Sequence, residues 1–267
     1  MDKSRINQLV TRSLGGLIVV AAVGLSVINE WVMLFVAMLI AAGSMLEVFT
    51  IARRNGIFSE RIIPIAVSLL ALAAVKFDLS LNFLVLLFPA IAILELYRKK
   101  TTPLENICVS IGNVIYVVIP MMLLIFFREG IGKYFLLAYF VIVWTNDVGA
   151  YLIGMSFGKH RLFERISPKK SWEGFWGGLI FSIGVSILAG YLINNQVSLW
   201  WAGLGAVISV SGVWGDLVES MFKRAVQMKD SGSIIPGHGG FLDRFDAVFV
   251  SSPIVFIYLF VTNQNLF

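Results

Sequence analysis

Charge is scarce in this chain. Asp, Glu, Lys and Arg make up 14% of its 267 residues, and 58% are hydrophobic. A soluble domain averages about 25% charged and about 45–50% apolar, so an ordinary soluble fold is excluded; the mean hydropathy is +0.86. Cysteine is scarcer still: Cys108 stands alone in an apolar run, and no intramolecular disulfide can form. With two histidines and no His/Cys cluster, the sequence speaks against a zinc site. A serine or cysteine nucleophile has no evident base partner. No internal repeat is visible, and the acids do not gather at mid-span, which speaks against a transporter with an ion path. The net charge of +5 reflects topology and attraction to anionic headgroups, not nucleic-acid binding.

What the chain does have is apolar runs. A hydrocarbon core of about 30 Å takes about 20 helical residues to cross, and helix satisfies its own backbone hydrogen bonds in lipid. Nine segments qualify: 14–29, 31–49, 62–77, 79–97, 105–127, 134–154, 175–193, 199–222 and 246–262. The expected fold is an all-α polytopic membrane protein with about nine transmembrane helices. Connections such as Asn29-Glu30 and Phe77-Asp78 predict tight antiparallel hairpins. With the N-terminus in the cytoplasm, 18 of the 21 basic residues fall in cytoplasmic segments. Only Lys76, Arg128 and Lys133 lie on the other side, and the C-terminus is then outside. Trp31, Trp200 and Trp201 fall at the predicted outer boundary, Trp172 and Trp176 at the inner one. The first span lacks a small-residue cleavage site and reads as a retained helix of the inner (cytoplasmic) membrane.

The polar residues are unevenly shared. Residues 1–127 read as scaffold helices with room for an oligomer contact such as a homodimer; Glu47 and Glu95 sit near the cytoplasmic ends of their helices, snorkelling or paired. Residues 128–267 read as the catalytic region, with its polar site facing the cytoplasm. Asp216, Glu219, Ser220 and Lys223 follow at i, i+3, i+4 and i+7 and share one helical face. An acid in or near a span costs about 2.5–3.5 kcal/mol on insertion scales and usually lines a polar cavity. Asp243 and Asp246, at i and i+3, open the last span. Two carboxylates there are poor neighbours unless a cation sits between them, and oxygen ligands suit magnesium. Lys223, Arg224, Lys229 and Arg244 supply the charge that a phosphate-rich substrate needs. Gly237, Gly239 and Gly240 allow close backbone approach. His238 suits a loop-stabilising hydrogen bond or acid–base work.

Two further patches face the same side. Asp147, Tyr151 and Gly154 form a stripe at the end of the sixth span; Gly149 and Gly154 serve either helix packing or the site. Ser167-Pro168-Lys169-Lys170-Ser171-Trp172-Glu173-Gly174 reads as a Ser-Pro turn leading into a helix, suited to anion binding. Acids for a metal beside bases for phosphate indicate phosphoryl or nucleotidyl transfer.

At these residues the sequence resembles the CTP:phosphatidate cytidylyltransferases, the CDP-diacylglycerol synthases. The signature comprises Ser220, Phe222-Lys223-Arg224, Lys229-Asp230, Gly232, Ile235-Pro236, His238-Gly239-Gly240-Phe241 and Asp243-Arg244-Phe245-Asp246. It spans 27 residues without a departure. The Asn146-Asp147 to Tyr151 and 167–174 blocks also look like family features. The resemblance implies that the phosphate of phosphatidic acid attacks the α-phosphorus of CTP, expelling pyrophosphate and leaving CDP-diacylglycerol for phospholipid synthesis. It implies that Asp216, Asp243 and Asp246 hold Mg2+, with a second metal or a monovalent cation compatible. Lys223 pairs Asp216 or approaches phosphate, and these four residues form the catalytic set. Asp147 supports the metal or the nucleotide. Lys169, Lys170, Lys229 and Arg244 contact the triphosphate, and Arg224, His238, Gly239 and Gly240 complete the substrate-binding set. The CDP-alcohol phosphotransferases are set aside, because their Asp-Gly, Ala-Arg and widely spaced acids are missing. A CTP-dependent lipid kinase stays as the nearer competitor.

Overall fold

The computed structural model describes the backbone of residues 3–15 and all of 16–232 and 239–262. The described chain is predominantly helical: α1 (Lys3–Ile28), α2 (Glu30–Arg54), α3 (Ile62–Lys76), α4 (Leu87–Arg98), α5 (Pro103–Asn113), α6 (Ile119–Phe126), α7 (Lys133–Phe157), α8 (Trp172–Asn194), α9 (Leu199–Ala225) and α10 (Leu242–Val261). Six helical stretches are long and apolar enough to cross a membrane: Glu30–Arg54, Pro103–Ile131, Lys133–Phe157, Trp172–Asn194, Leu199–Ala225 and Leu242–Val261. Gly16–Ile28 and Ile62–Lys76 are shorter apolar helices. All nine apolar segments thus lie in helix, while six reach full spanning length. The 79–97 segment falls short because it opens as a 3-10 turn, Asn82–Leu86, and leaves only 12 residues for α4.

Local chemistry explains several boundaries. The α1–α2 hairpin turns on Asn29, whose Oδ1 accepts from the backbone N–H of Trp31 at 2.9 Å and of Val32 at 3.2 Å. Between α5 and α6 the helix widens to a π-turn at Val114–Val118, just before Pro120. Proline has no N–H and its ring crowds the carbonyl four residues back, which a wider turn relieves. Outside helix, β1 (Arg161–Phe163) and β2 (Ser167–Ser171) form a small antiparallel hairpin with Arg161 opposite Ser171. The Ser-Pro stretch read as a turn is therefore a strand, with Pro168 on a two-stranded ribbon in which both strands are edges.

The chain forms two compact units. One comprises residues 1–126 with 222–245, the other 127–221 with 246–267. In the first, α2 packs against α1, α3, α5 and α6 through Ala37, Ala41, Met45 and Phe49, all buried at helical spacing. Asn113 Nδ2 donates to the Met45 carbonyl at 3.0 Å. Glu95 is buried and paired, accepting from Arg98 Nη1 at 2.7 Å and Asn106 Nδ2 at 2.5 Å. In the second unit, α7 and α8 meet through glycines. A Cβ on Gly178 would lie 2.6 Å from Asn146 Oδ1, and one on Gly149 would lie 2.9 Å from Phe181 Cβ. These are close-packing positions of the small-residue type. Trp201, expected at the outer membrane boundary, is instead buried against Phe135 and the face of Gly190. The missing side chain at Gly190 makes room for the indole, and packing outweighs interfacial anchoring.

Candidate active site

In the second unit, α9 and the start of α10 bring three acids together. One carboxylate oxygen from each of Asp216, Glu219 and Asp246 lies within 4.8 Å of the others. The helical repeat of α9 places Asp216 and Glu219 one turn apart on one face. Gly215 lets α10 approach: a Cβ there would meet Ala247 Cα at 3.0 Å. Two unit charges at this spacing repel by about 3.5 kcal/mol or more at an effective dielectric of about 20. Lys170 Nζ offsets part of this from 2.6 Å off Asp216 Oδ2, and the Ser220 hydroxyl donates to Asp216 Oδ1 at 3.2 Å. Asp246 Oδ1 accepts from the Ala247 N–H at 2.7 Å. An all-oxygen, mostly anionic donor set fits a hard divalent cation of the magnesium or calcium kind.

Beside the cluster is a cavity of about 400 Å³, lined among others by Asp147, Tyr151, Lys169, Lys170, Ser171 and Asp216. The Asp147 stripe, the Lys169-Lys170 block and Asp216, which are far apart in sequence, therefore share one wall. The hairpin that carries the lysines is fixed at both ends. Ser171 Oγ caps α8 by accepting from Gly174 N–H at 3.1 Å, and Glu173 accepts from His160 Nδ1 at 2.6 Å and Lys159 N–H at 3.1 Å.

The first unit holds a different carboxylate assembly. Asp243 Oδ1 accepts from Lys223 Nζ at 2.6 Å. Its Oδ2 accepts from the N–H groups of Ser231 at 3.0 Å and Gly240 at 2.8 Å. Glu47, buried on α2, takes the N–H groups of Phe241 at 3.0 Å and Leu242 at 2.9 Å. The Ser231 hydroxyl lies 2.7 Å from Glu47 Oε2 and 3.0 Å from Asp243 Oδ2.

Of the expected metal trio, Asp216 and Asp246 belong to the three-acid cluster, with Glu219 as its third member. Asp243 is engaged by Lys223, Ser231 and Gly240. Arg224 donates to the Met228 carbonyl at 2.8 Å, closing the turn after α9. Lys169, Lys229 and Arg244 are exposed, and Gly239 takes a left-handed φ of 83°. His238 lies outside the described residues. Two acids went unassigned from the sequence. Glu219 was legible through its i+3 spacing from Asp216. Glu47 was read only as snorkelling or paired; it is paired, with partners nearly 200 positions away.

Against known proteins, about half the chain aligns with curated relatives. The phosphatidate cytidylyltransferase of Staphylococcus aureus (strain COL) is 46% identical over 129 residues, 48% of this chain and 50% of the relative. That of Staphylococcus haemolyticus (strain JCSC1435) gives the same identity and coverage. The enzyme of that name from Staphylococcus epidermidis (strain ATCC 35984 / DSM 28319 / BCRC 17069 / CCUG 31568 / BM 3577 / RP62A) is 45% identical over 132 residues, 49% of this chain and 51% of its own length. The chain thus spans about half the length of the curated relatives it matches. Residues 8–262 match the profile of the Cytidylyltransferase family, and the chain belongs to that family.

Proposed function

We propose that this chain transfers the cytidylyl group of CTP to phosphatidic acid. A phosphate oxygen of the lipid forms a bond to the α-phosphorus of CTP. The bond from that phosphorus to the oxygen bridging to the β-phosphate breaks, and pyrophosphate leaves with the electron pair. CDP-diacylglycerol is the product. The lipid phosphate is already ionised near neutral pH, so no general base is needed. Alignment and charge neutralisation carry the reaction.

The observation that carries the reading is the Asp216, Glu219 and Asp246 cluster, with Lys170 bonded to it, beside a cavity that Lys169 and Asp147 also line. Asp216, Glu219 and Asp246 would hold Mg2+, which when bound neutralises charge on the triphosphate. Lys169 and Lys170 orient the phosphates, and Asp147 orients the nucleotide. Lys223, held by Asp243, takes the catalytic part that the family resemblance implies, with Arg224, Lys229 and Arg244 as further anion contacts. Nine membrane crossings complete the reading, with the N-terminus and the site on the cytoplasmic side of the inner membrane.

Purified protein in detergent should release pyrophosphate from CTP only when phosphatidic acid and a divalent ion are both present. Release of CDP instead would identify a lipid kinase, and turnover without a divalent ion would overturn the mechanism. Topology is read separately in a Cys108→Ser background. Maleimide added outside sealed cells should label Lys133→Cys and spare Lys229→Cys.

A further inference from the structure

We propose that Glu47, far from the signature in sequence, is a positioning residue for the reaction, acting through Ser231 and Asp243 on the Lys223 ammonium. The inference rests on the function proposed above.

The connections are continuous within one compact unit. Glu47 Oε2 meets the Ser231 hydroxyl at 2.7 Å, that hydroxyl lies 3.0 Å from Asp243 Oδ2, and Asp243 Oδ1 holds Lys223 Nζ at 2.6 Å. Glu47 also grips the far end of the same segment, through the N–H groups of Phe241 and Leu242. One carboxylate therefore ties residue 231 to residues 241 and 242. Its bonds offset part of the entropic cost of holding those two points of the chain together.

A second observation points the same way. The glycines flanking this loop are shaped around Glu47. A Cβ on Gly232 would lie 2.6 Å from Glu47 Oε1, and a Cβ on Gly240 would collide with the same carboxylate. One turn earlier on α2, a Cβ on Gly43 would run into the Phe241 ring. Gly232 and Gly240 thus make room for a protein carboxylate. The N-terminus of α10, by its N–H groups and dipole a ready anion site, is already filled by Glu47. That helix end is thereby closed to a phosphate, and through Ser231 and Asp243 the placement of Lys223 becomes the quantity that Glu47 controls.

Glu47→Gln is the discriminating variant. Phe241 N–H and the Ser231 and Leu242 donors sit on different oxygens of Glu47, so an amide must turn its NH2 toward a donor. In folded protein, kcat should fall about 10- to 100-fold, with KM for CTP and the half-saturating Mg2+ concentration unchanged. Trypsin cleavage after the exposed Lys229 should accelerate about tenfold, because Ser231, two residues on, is released from Glu47 more often. If Glu47→Gln will not fold, two other variants read the same linkage. Ser231→Ala should lower kcat several-fold without moving KM. Gly232→Ala should accelerate the cleavage, and adding Glu47→Ala should not multiply that effect, since both act on one contact.

The proposal is overturned if folded Glu47→Gln keeps wild-type kcat, or if its loss is fully accounted for by a smaller folded fraction. It is also overturned if the Gly232 and Glu47 effects multiply independently. Absence of pyrophosphate release by the wild type would strike the proposed function instead, while the proteolysis arm would still report on Glu47.

Discussion

Two sets of carboxylates, one in each unit, are used differently. In residues 1–126 with 222–245, Glu47, Glu95 and Asp243 each spend their oxygens on protein donors, namely backbone N–H groups, a serine, an asparagine, an arginine and a lysine. In residues 127–221 with 246–267, Asp216, Glu219 and Asp246 turn oxygens toward one another. An acid surrounded by donors holds a fold together, and removing it leaves those donors wanting. Acids that converge on each other weaken the fold until a cation arrives. The contrast separates donor-bound acids from converging acids without reference to activity, and it can be attacked directly.

The largest effect should come from Asp246→Asn, which keeps the contact to the Ala247 N–H but removes one charge from the cluster. Turnover should drop by more than about 100-fold, beyond what loss of an outer partner of a metal ligand costs. Without divalent ions its melting temperature should equal or exceed that of the wild type, since a like-charge contact is relieved. Added Mg2+ should raise the wild-type melting temperature by ligand linkage and leave the variant's unchanged. A variant stabilised by Mg2+ as strongly as the wild type would remove Asp246 from the ligand set.

Lys170→Met comes next. Its ammonium bonds Asp216 and lines the cavity, so it serves both the acid cluster and the phosphates. Loss of about 10- to 100-fold in kcat/KM is expected, mainly through KM for CTP, because a charge-assisted contact to phosphate is worth about 1.5–3 kcal/mol. A change confined to phosphatidic acid kinetics would move Lys170 away from the nucleotide.

Glu95→Gln tests the other side of the comparison. The carboxylate is buried, and its two oxygens face Arg98 and Asn106. Gln presents an NH2 to one of these donors, costing about 1–3 kcal/mol. The melting temperature should fall, while KM for CTP and the Mg2+ response stay at wild-type values. Altered KM would mean that Glu95, too, reaches the reaction rather than the fold alone.

How far the sequence foreshadowed this arrangement depends on the distance over which each interaction acts. Hydrophobic runs are local, so the helical segments were legible, although six and not nine of them reach spanning length among the described residues. Residues 167–171 misled, because Ser-Pro-Lys-Lys-Ser has the composition of a turn and its strand exists only by pairing with Arg161–Phe163. Trp201 misled because a tryptophan near a span end looks interfacial until Gly190 opens a slot for it. Glu47 could be read no further than snorkelling or paired, because its partners lie 184 to 195 positions away and impose no periodicity on the chain between.

The smallest expected effect is the most specific to the second unit's geometry. Ser171 caps α8 through Gly174 N–H and also lines the cavity next to Lys170. Removing the cap by Ser171→Ala should cost about 1 kcal/mol. A purely structural cap would show that loss in melting temperature alone. If the cap also holds the hairpin that carries Lys169 and Lys170, KM for CTP should rise a few-fold alongside it. Ser171→Asp, which keeps an accepting oxygen at the N-cap, should recover the stability. It should leave KM raised, because the new negative charge faces the same cavity as the triphosphate. Recovery of both quantities in Ser171→Asp would separate the cavity from the nucleotide, and with it the assignment of Lys169 and Lys170.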